Sequence, residues 1–198
     1  MTVAPATVTR RVRRLRRLAL AGAALLIAAG LTFAVTRALG LWINATASMP
    51  EGIYRLTRFD GTPLARGTVV AICPSAAVLA VAIPRHYLEP GSCPGHVEPL
   101  LKHVAAVAGD RVDVAEHAIS VNGTPLANSG RFARDCGGRP LPRIRAGRYT
   151  IAPHTVWVYA PVGRSWDSRY YGALPESGIL GTAQPFLIFG LGNADCTS

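Results

Sequence analysis

A serine and a lysine in the chain have the residue types of a catalytic dyad. Ser48 lies in a small, polar segment, and Lys102 follows it within the apolar residues 100–107. A serine hydroxyl is a poor nucleophile until a neighbouring base takes its proton. A lysine amine can be that base only when burial lowers its pKa. The apolar neighbours of Lys102 predict a buried side chain on a strand, with His103 facing the other way. The pair predicts a serine hydrolase with a lysine base.

Thr46 is the candidate partner of the serine in binding an oxyanion. Its hydroxyl precedes Ser48 by two residues, and we expect it to act together with the backbone N–H of Ser48. The same segment has an alternative interpretation as a glycosylation acceptor, because Asn44 and Thr46 form an Asn-x-Thr pattern. That pattern is short and arises often by chance.

A polar segment near the C-terminus, Ser165–Gly172, contains candidate supporting residues. We expect the Ser165 hydroxyl to form a hydrogen bond with the lysine amine and orient it. Asp167 and Arg169 are close enough in sequence to form an ion pair that holds a loop in place. Asp110 is a second candidate partner for Arg169.

Five histidines offer alternative general bases. None stands near a serine or cysteine in a recognisable hydrolase motif, and the pattern Gly-x-Ser-x-Gly is absent. A Ser–His hydrolase is therefore a rival hypothesis, which a histidine beside Ser48 would support. The five residues are His86, His96, His103, His117 and His154.

The even number of cysteines in an exported chain predicts disulfide bonds. We expect one bond between Cys73 and Cys93 and a second between Cys136 and Cys196. One alternative is a zinc site made by Cys73, Cys93 and His96, although the closely spaced ligand pairs of such sites are missing. Another alternative is four free, buried thiols. Neither a metal nor an organic cofactor is predicted.

The N-terminal part of the chain has the pattern of a membrane anchor. Residues 18–36 are uncharged and long enough to span a hydrocarbon core of about 30 Å. The basic residues 1–17 are predicted to be cytoplasmic, which places residues 41–198 on the extracytoplasmic side of the inner membrane as an exported catalytic domain. The alternative is a signal peptide cleaved near Ala38–Gly40.

The positive charge of the chain is concentrated near its start. The formal net charge is +10, and six arginines lie between Arg10 and Arg17. No aromatic residue interrupts this block, whereas nucleic-acid binding surfaces combine basic and aromatic side chains. We therefore predict no nucleic-acid partner.

The exported part reads as short strands joined by turns. Its strands are β-branched or alternate with period two, and Asn122-Gly123 predicts a tight hairpin turn. Residues 75–83 are the exception, since they are Ala-rich and predict a helix. Residues 127–148 are rich in Arg, Gly and Pro and predict an irregular insertion. The predicted strands are Thr68–Ile72, Arg111–Val114, Ile119–Val121, Thr155–Tyr159 and Ile179–Phe189.

Taken together and in order, these segments resemble the signal peptidase I family of Ser/Lys serine peptidases, within the branch typified by the conjugative-transfer peptidase TraF. Each segment is weakly specific alone, but their order behind an anchor is specific. The similar segments are Ser48–Arg55, Arg66–Val70, Leu101–Asp110, Val121–Leu126 and Ser165–Gly172.

The resemblance implies a role for each matching residue. Ser48 corresponds to the nucleophile, Lys102 to the general base and Thr46 to the hydroxyl donor of the oxyanion hole. Ser165 corresponds to the serine that orients the lysine. The residues that shape the site in the family correspond to Asp167 and Arg169.

The resemblance also implies a mainly β fold, with antiparallel sheets around a catalytic groove behind one N-terminal transmembrane helix. The implied function is that of a membrane-anchored serine endopeptidase that cleaves signal peptides, leader peptides or pilin-like precursors. Its implied partners are those precursors, the lipid bilayer and a conjugation or pilus apparatus. The sequence departs from the family at His103, where arginine is common, and at Ala108, where proline is usual. The alternative is a non-catalytic, single-pass assembly protein of an envelope complex.

Overall fold

The first element is one long helix. The computed structural model describes residues 6–190, in which α1 spans Ala6–Ala38. Its stretch Val12–Thr36 is long and apolar enough to cross a membrane, and it contains the predicted span 18–36. The chain divides into two compact units, one ending at Leu41 and one beginning at Trp42.

The second unit is built mainly from antiparallel strands, as predicted. Seven strands form its larger sheet in the order β1-β2-β12-β3-β5-β10-β11, so that β5 has a neighbour on each side. The bounds are β1 Leu41–Asn44, β2 Glu51–Arg58, β3 Val69–Ile72, β5 Leu100–Ala106, β10 Thr155–Tyr159, β11 Leu174–Pro175 and β12 Ile179–Gly190.

A smaller four-stranded sheet has the order β8-β7-β6-β9. Its first hairpin turns at Asn122 and Gly123, whose φ angles of 50° and 84° are both positive. Asn and Gly tolerate this conformation, so the predicted turn is confirmed. The bounds are β6 Arg111–Val114, β7 Ile119–Val121, β8 Thr124–Pro125 and β9 Gly147–Thr150.

Short elements complete the unit. The predicted helix 75–83 is confirmed as α2, and the predicted insertion 127–148 is irregular until β9 begins at Gly147. The remaining elements are α2 Ala76–Ala82, a 3₁₀ turn Ile83–Arg85, β4 Pro90–Cys93, α3 Ser168–Tyr171 and a 3₁₀ turn Glu176–Gly178.

The core of the second unit contacts β5 from both of its faces. Leu100 and Val104 belong to the largest cluster of buried apolar side chains, together with Val70 from β3 and Val158 from β10. Leu101, on the opposite face, belongs to a separate cluster. A strand covered on both sides removes its side chains from water, and this is the setting of Lys102.

Candidate active site

Lys102 is a buried amine in the middle of the larger sheet. It lies on β5 opposite Val70 of β3, and only 2% of its surface is exposed. Desolvation lowers the pKa of Lys102 to about 8; Asp167 raises it and Arg169 lowers it further. His103 is less buried and faces the other way, so the predicted orientation of this pair is confirmed.

Lys102 is also the only lysine in the sequence, whereas the remaining cationic side chains are arginines. A guanidinium stays protonated in proteins, but an ammonium loses its proton readily when it is buried. The one position that can supply a neutral amine is thus the one that the fold removes from water.

Ser48 lies in the turn between β1 and β2 and is half-buried. Met49, the next residue, packs in one apolar cluster with Leu101, the residue before Lys102. This shared cluster packs the turn and β5 into one part of the core. Ser48 and Lys102 line the same cavity of about 360 Å³. The structure therefore brings the two residues of the predicted dyad to one cavity.

The turn that carries Ser48 is organised by Asn44, a role that sequence reasoning missed. Asn44 is 1% exposed, and its Nδ2 donates to the backbone carbonyls of Thr46, Met49 and Pro50 at 3.0–3.3 Å. Its Oδ1 accepts from the backbone N–H of Thr46 at 3.2 Å. Because the amide nitrogen is buried and bonded, the glycosylation interpretation of Asn44 is wrong for the folded chain.

Thr46 lines the cavity beside Ser48. Its hydroxyl donates to Oδ1 of Asn44 at 2.7 Å, and a hydroxyl has a single hydrogen to donate. Donation to an oxyanion therefore requires this hydroxyl to rotate away from Asn44. The predicted oxyanion-hole role of Thr46 and of the Ser48 N–H stays a prediction.

Ser165 is buried, with 1% of its surface exposed. Its hydroxyl has no hydrogen-bond partner among residues 6–190, so the expected bond to the Lys102 amine is not formed in this structure. A buried hydroxyl without a partner is uncommon. The orienting role of Ser165 stays a prediction.

Asp167 and Arg169 form the expected ion pair, and both are fully buried. The pair is bidentate, with Nε at 2.8 Å from Oδ1 and Nη2 at 2.9 Å from Oδ2. Arg169 also donates to backbone carbonyls of the insertion and of the loop after β10. The shortest of these bonds reach Asn128 at 2.9 Å, Val162 at 2.7 Å and Ser165 at 3.2 Å.

The prediction that Asp110 is a partner for Arg169 is wrong. The Asp110 carboxylate accepts from the backbone N–H of Val107 at 2.9 Å and from Nδ2 of Asn122 at 2.7 Å. Its ion pair, at 3.6 Å, is with Arg66. Asp110 stabilises the turn that connects β5 to β6. The acidic partner of Arg169 is Asp167.

One of the two predicted disulfide bonds is confirmed. Cys73 and Cys93 form a disulfide, which ties the segment after β3 to the end of β4. Those two thiols are therefore not zinc ligands, and residues 6–190 contain no cluster of side chains that could hold a metal. Cys196, the predicted partner of Cys136, lies outside the described residues.

One histidine, His86, lines the cavity that contains Ser48. It follows the 3₁₀ turn after α2 and is exposed. The other four histidines lie within the described part of the chain but do not line this cavity. Lys102 is thus the buried candidate base in the cavity that Ser48 lines.

The wall of the cavity that aromatic and charged side chains form was not predicted from the sequence. Trp166 stacks on Tyr170 with ring centroids 5.3 Å apart, and the edge of Tyr87 contacts Trp166 at the same distance. The charged residues of this wall come from the 3₁₀ turn, the insertion and the loop after β10. They are Arg85, Asp135, Arg139 and Arg164.

The chain is similar to known proteins over most of its length. A family model described as signal peptidase, peptidase S26, matches residues 13–188. The chain is 38% identical over 190 residues to a probable conjugal transfer protein TraF from Sinorhizobium fredii (strain NBRC 101917 / NGR234), covering 96% of this chain and 99% of that protein. It is 37% identical over 171 residues to the conjugal transfer protein TraF of Agrobacterium tumefaciens (strain 15955), covering 86% and 94%.

A solved structure is also similar to part of the chain. The crystal structure of a signal peptidase I from Enterococcus faecalis V583 aligns with a TM-score of 0.36 and 16% identity. The alignment covers 61% of this chain and 97% of that one.

Proposed function

Because this chain belongs to the signal peptidase family, peptidase S26, we propose that it is a membrane-anchored serine endopeptidase with a Ser48–Lys102 dyad. Its substrates are leader peptides or pilin-like precursors of exported proteins. The observation that carries the proposal is the buried amine of Lys102, with its lowered pKa, in the cavity that Ser48 lines.

The proposed reaction begins with an extended precursor in the cavity. The neutral amine of Lys102 takes the proton of the Ser48 hydroxyl while Ser48 Oγ attacks the scissile carbonyl. The carbonyl oxygen becomes an oxyanion, bound by the Ser48 N–H and, after rotation, by the Thr46 hydroxyl. The Lys102 ammonium then gives its proton to the leaving amine, and the peptide bond breaks.

The acyl-enzyme formed at Ser48 is resolved in a second step. Water, deprotonated by Lys102, attacks the ester and releases a new carboxyl end. An amine of the substrate itself can take the place of water, and the product is then a cyclic peptide. In either case Ser48 recovers its proton from Lys102.

The relatives support a role in conjugation, since the proteins similar over most of the chain are described as TraF conjugal transfer proteins. We propose that the substrate is a precursor exported with that apparatus. The anchor and an exposed apolar surface near the end of β12 keep the enzyme at the bilayer where such precursors emerge. This surface includes Ile43, Phe186, Leu187 and Phe189.

The test compares membranes from cells that express the wild-type chain or a variant. Mass spectrometry of the N- and C-terminal peptides of exported proteins identifies those that keep their leaders. We expect the same precursors to accumulate with Ser48→Ala, Lys102→Ala and Lys102→Arg, the last because a guanidinium cannot act as the base. Ser92→Ala, an exposed serine on β4, is the matched control and should process normally. Normal processing by Ser48→Ala would overturn the proposal.

A further inference from the structure

The part of the cavity lining that is not contributed by Ser48 and Lys102 has an excess of positive charge. Arg85, Arg139 and Arg164 line it with a single carboxylate, Asp135, in the same group. Asp135 is 6% exposed and pairs with Arg139 at 2.7 Å and with Arg85 at 3.7 Å. Its carboxylate also accepts a hydrogen bond from Tyr87. Asp135 thus forms ion pairs with two of the three arginines.

The third arginine, Arg164, has no acidic partner in the described part of the chain. No carboxylate among residues 6–190 lies within ion-pair distance of its guanidinium. The group lies instead 4.2 Å from the ring centroid of Phe132, and Nη1 is 3.9 Å from the sulfur of Cys136. Stacking on an aromatic ring holds a guanidinium in one plane while its N–H groups stay available.

The other acidic side chain of the cavity does not change this balance. Glu98 interacts electrostatically with Lys102, and no ion pair joins it to an arginine within the described range. A guanidinium that stacks on a ring and finds no counterion among residues 6–190, in a cavity lined by Trp166 and Leu141, is suited to bind a planar anion.

We propose that Arg164 is a specificity-determining residue that binds a carboxylate of the substrate, so that the enzyme prefers precursors with an acidic group near the scissile bond. This inference rests on the proposed function and adds the chemistry of the substrate. The carboxylate has two possible sources, an Asp or Glu side chain or the C-terminal carboxylate of the precursor. A fork of two N–H donors recognises either one.

The test measures peptide binding to the full chain in detergent, in the Ser48→Ala background so that no cleavage occurs. The probes are Ala-rich decapeptides in which one Glu or one Gln is moved through the sequence, each with a free or an amidated C-terminus. Titration calorimetry gives the dissociation constants. We expect a Glu side chain at a favoured position, or a free C-terminus, to improve affinity about tenfold over the neutral match. Position dependence in amidated peptides identifies a side chain, and an effect of amidation alone identifies the C-terminus.

The decisive comparison uses three variants. Arg164→Gln should bind charged and neutral peptides equally, whereas Arg164→Lys should keep part of the preference. Arg145→Gln is the control, because Arg145 is exposed in the insertion 127–148 and does not line the cavity. Equal affinity of Glu and Gln peptides for the parent chain, or an unchanged preference in Arg164→Gln, would overturn the inference. So would a loss of binding to phosphatidylglycerol vesicles in Arg164→Gln with no change in peptide preference.

Failure of the proposed function gives a different result. If Ser48→Ala does not impair precursor processing but the carboxylate preference depends on Arg164, the chain is a binding protein for acidic peptides and this inference stands. If processing requires Ser48 but the preference is absent, the peptidase stands and Arg164 has no part in specificity.

Discussion

The hydroxyl of Thr46 donates to Oδ1 of Asn44 at 2.7 Å, and through this bond a buried amide fixes the residue beside the proposed nucleophile. Nδ2 of Asn44 is committed to three backbone carbonyls of the same turn. The turn that presents Ser48 is therefore held by one side chain from the end of β1. Two consequences follow, one for stability and one for activity.

Replacing Asn44 by Ala should loosen this turn. The substitution leaves buried carbonyls and the Thr46 N–H without partners, and we expect the free energy of unfolding to fall by about 1–3 kcal/mol. Precursor cleavage should fall further than stability explains, because Ser48 loses its fixed position. Urea denaturation and cleavage rates measure the two effects.

Asn128→Gly is the control for this prediction, since exposed Asn128 makes one side-chain hydrogen bond, to Pro161 at 3.0 Å, and its φ of 56° is a conformation that glycine adopts without strain. It should change neither quantity appreciably. An Asn44→Ala variant that is as stable and as active as the wild type would show that the turn is held by other contacts.

Replacing Lys102 by Met should stabilise the protein at neutral pH. The pKa of Lys102 is about 8 in the folded chain and 10.5 ordinarily, so the unfolded chain binds a proton that the folded chain releases. Wild-type stability therefore falls as the pH drops from 10.5 to 8 and stays low below 8. Converted to a free energy, the difference between these two pKa values lowers the stability of the folded chain by about 3 kcal/mol below pH 8. We expect Lys102→Met to be more stable by about that amount at pH 7, with the gain vanishing near pH 10.5.

Chemical denaturation of both proteins across this pH range provides the measurement. Ser48→Ala serves as a second inactive protein, and its stability should follow the wild-type pH dependence. A Lys102→Met variant that is less stable than the wild type at pH 7 would mean that the charged amine is well paired in the folded chain and that its pKa is not lowered.

Arg169→Lys should be strongly destabilising although the charge is kept. A lysine cannot reproduce the bidentate contact with Asp167, nor reach the several carbonyls that the guanidinium holds. Breaking a buried pair costs about 3–5 kcal/mol, and we expect a loss near the lower limit. Arg148→Lys alters a similar pair, with Asp113 at 2.8 Å, that is solvent-exposed, and should have little effect. Equal midpoints of urea denaturation for the two variants would contradict the prediction.

The sequence predicted those parts of the site that depend on local pattern. Apolar neighbours placed Lys102 in the core, and the alternation of a strand turned His103 away from it. The Asn122-Gly123 hairpin and the bond between Cys73 and Cys93 also followed from local chemistry. The single lysine among so many arginines is a further signal in the sequence, since it marks the one side chain that can become a neutral amine.

Other features depend on contacts between distant segments. Asn44 matches a surface sequon and is nevertheless buried, because the turn it holds packs through Met49 on Leu101. Strand β2 was not predicted, since Gly52 interrupts it. A Cβ at Gly52 would lie 2.3 Å from the carbonyl oxygen of Leu187, so the glycine reflects the close approach of β12. The three arginines of the cavity come from the 3₁₀ turn, the insertion and the loop after β10, and no local pattern places Arg164 over Phe132.

The central claim is that the buried amine of Lys102 loses its proton near pH 8, well below the pKa of 10.5 of an ordinary lysine, in the cavity that Ser48 lines. Because the chain has a single lysine, labelling with ¹³Cε-lysine gives one side-chain NMR signal, whose chemical shift reports the ionisation of this amine alone. We predict a titration midpoint near pH 8 and a rise of kcat/KM for precursor cleavage over the same range. A midpoint near 10.5, the value of a lysine in water, would contradict the account.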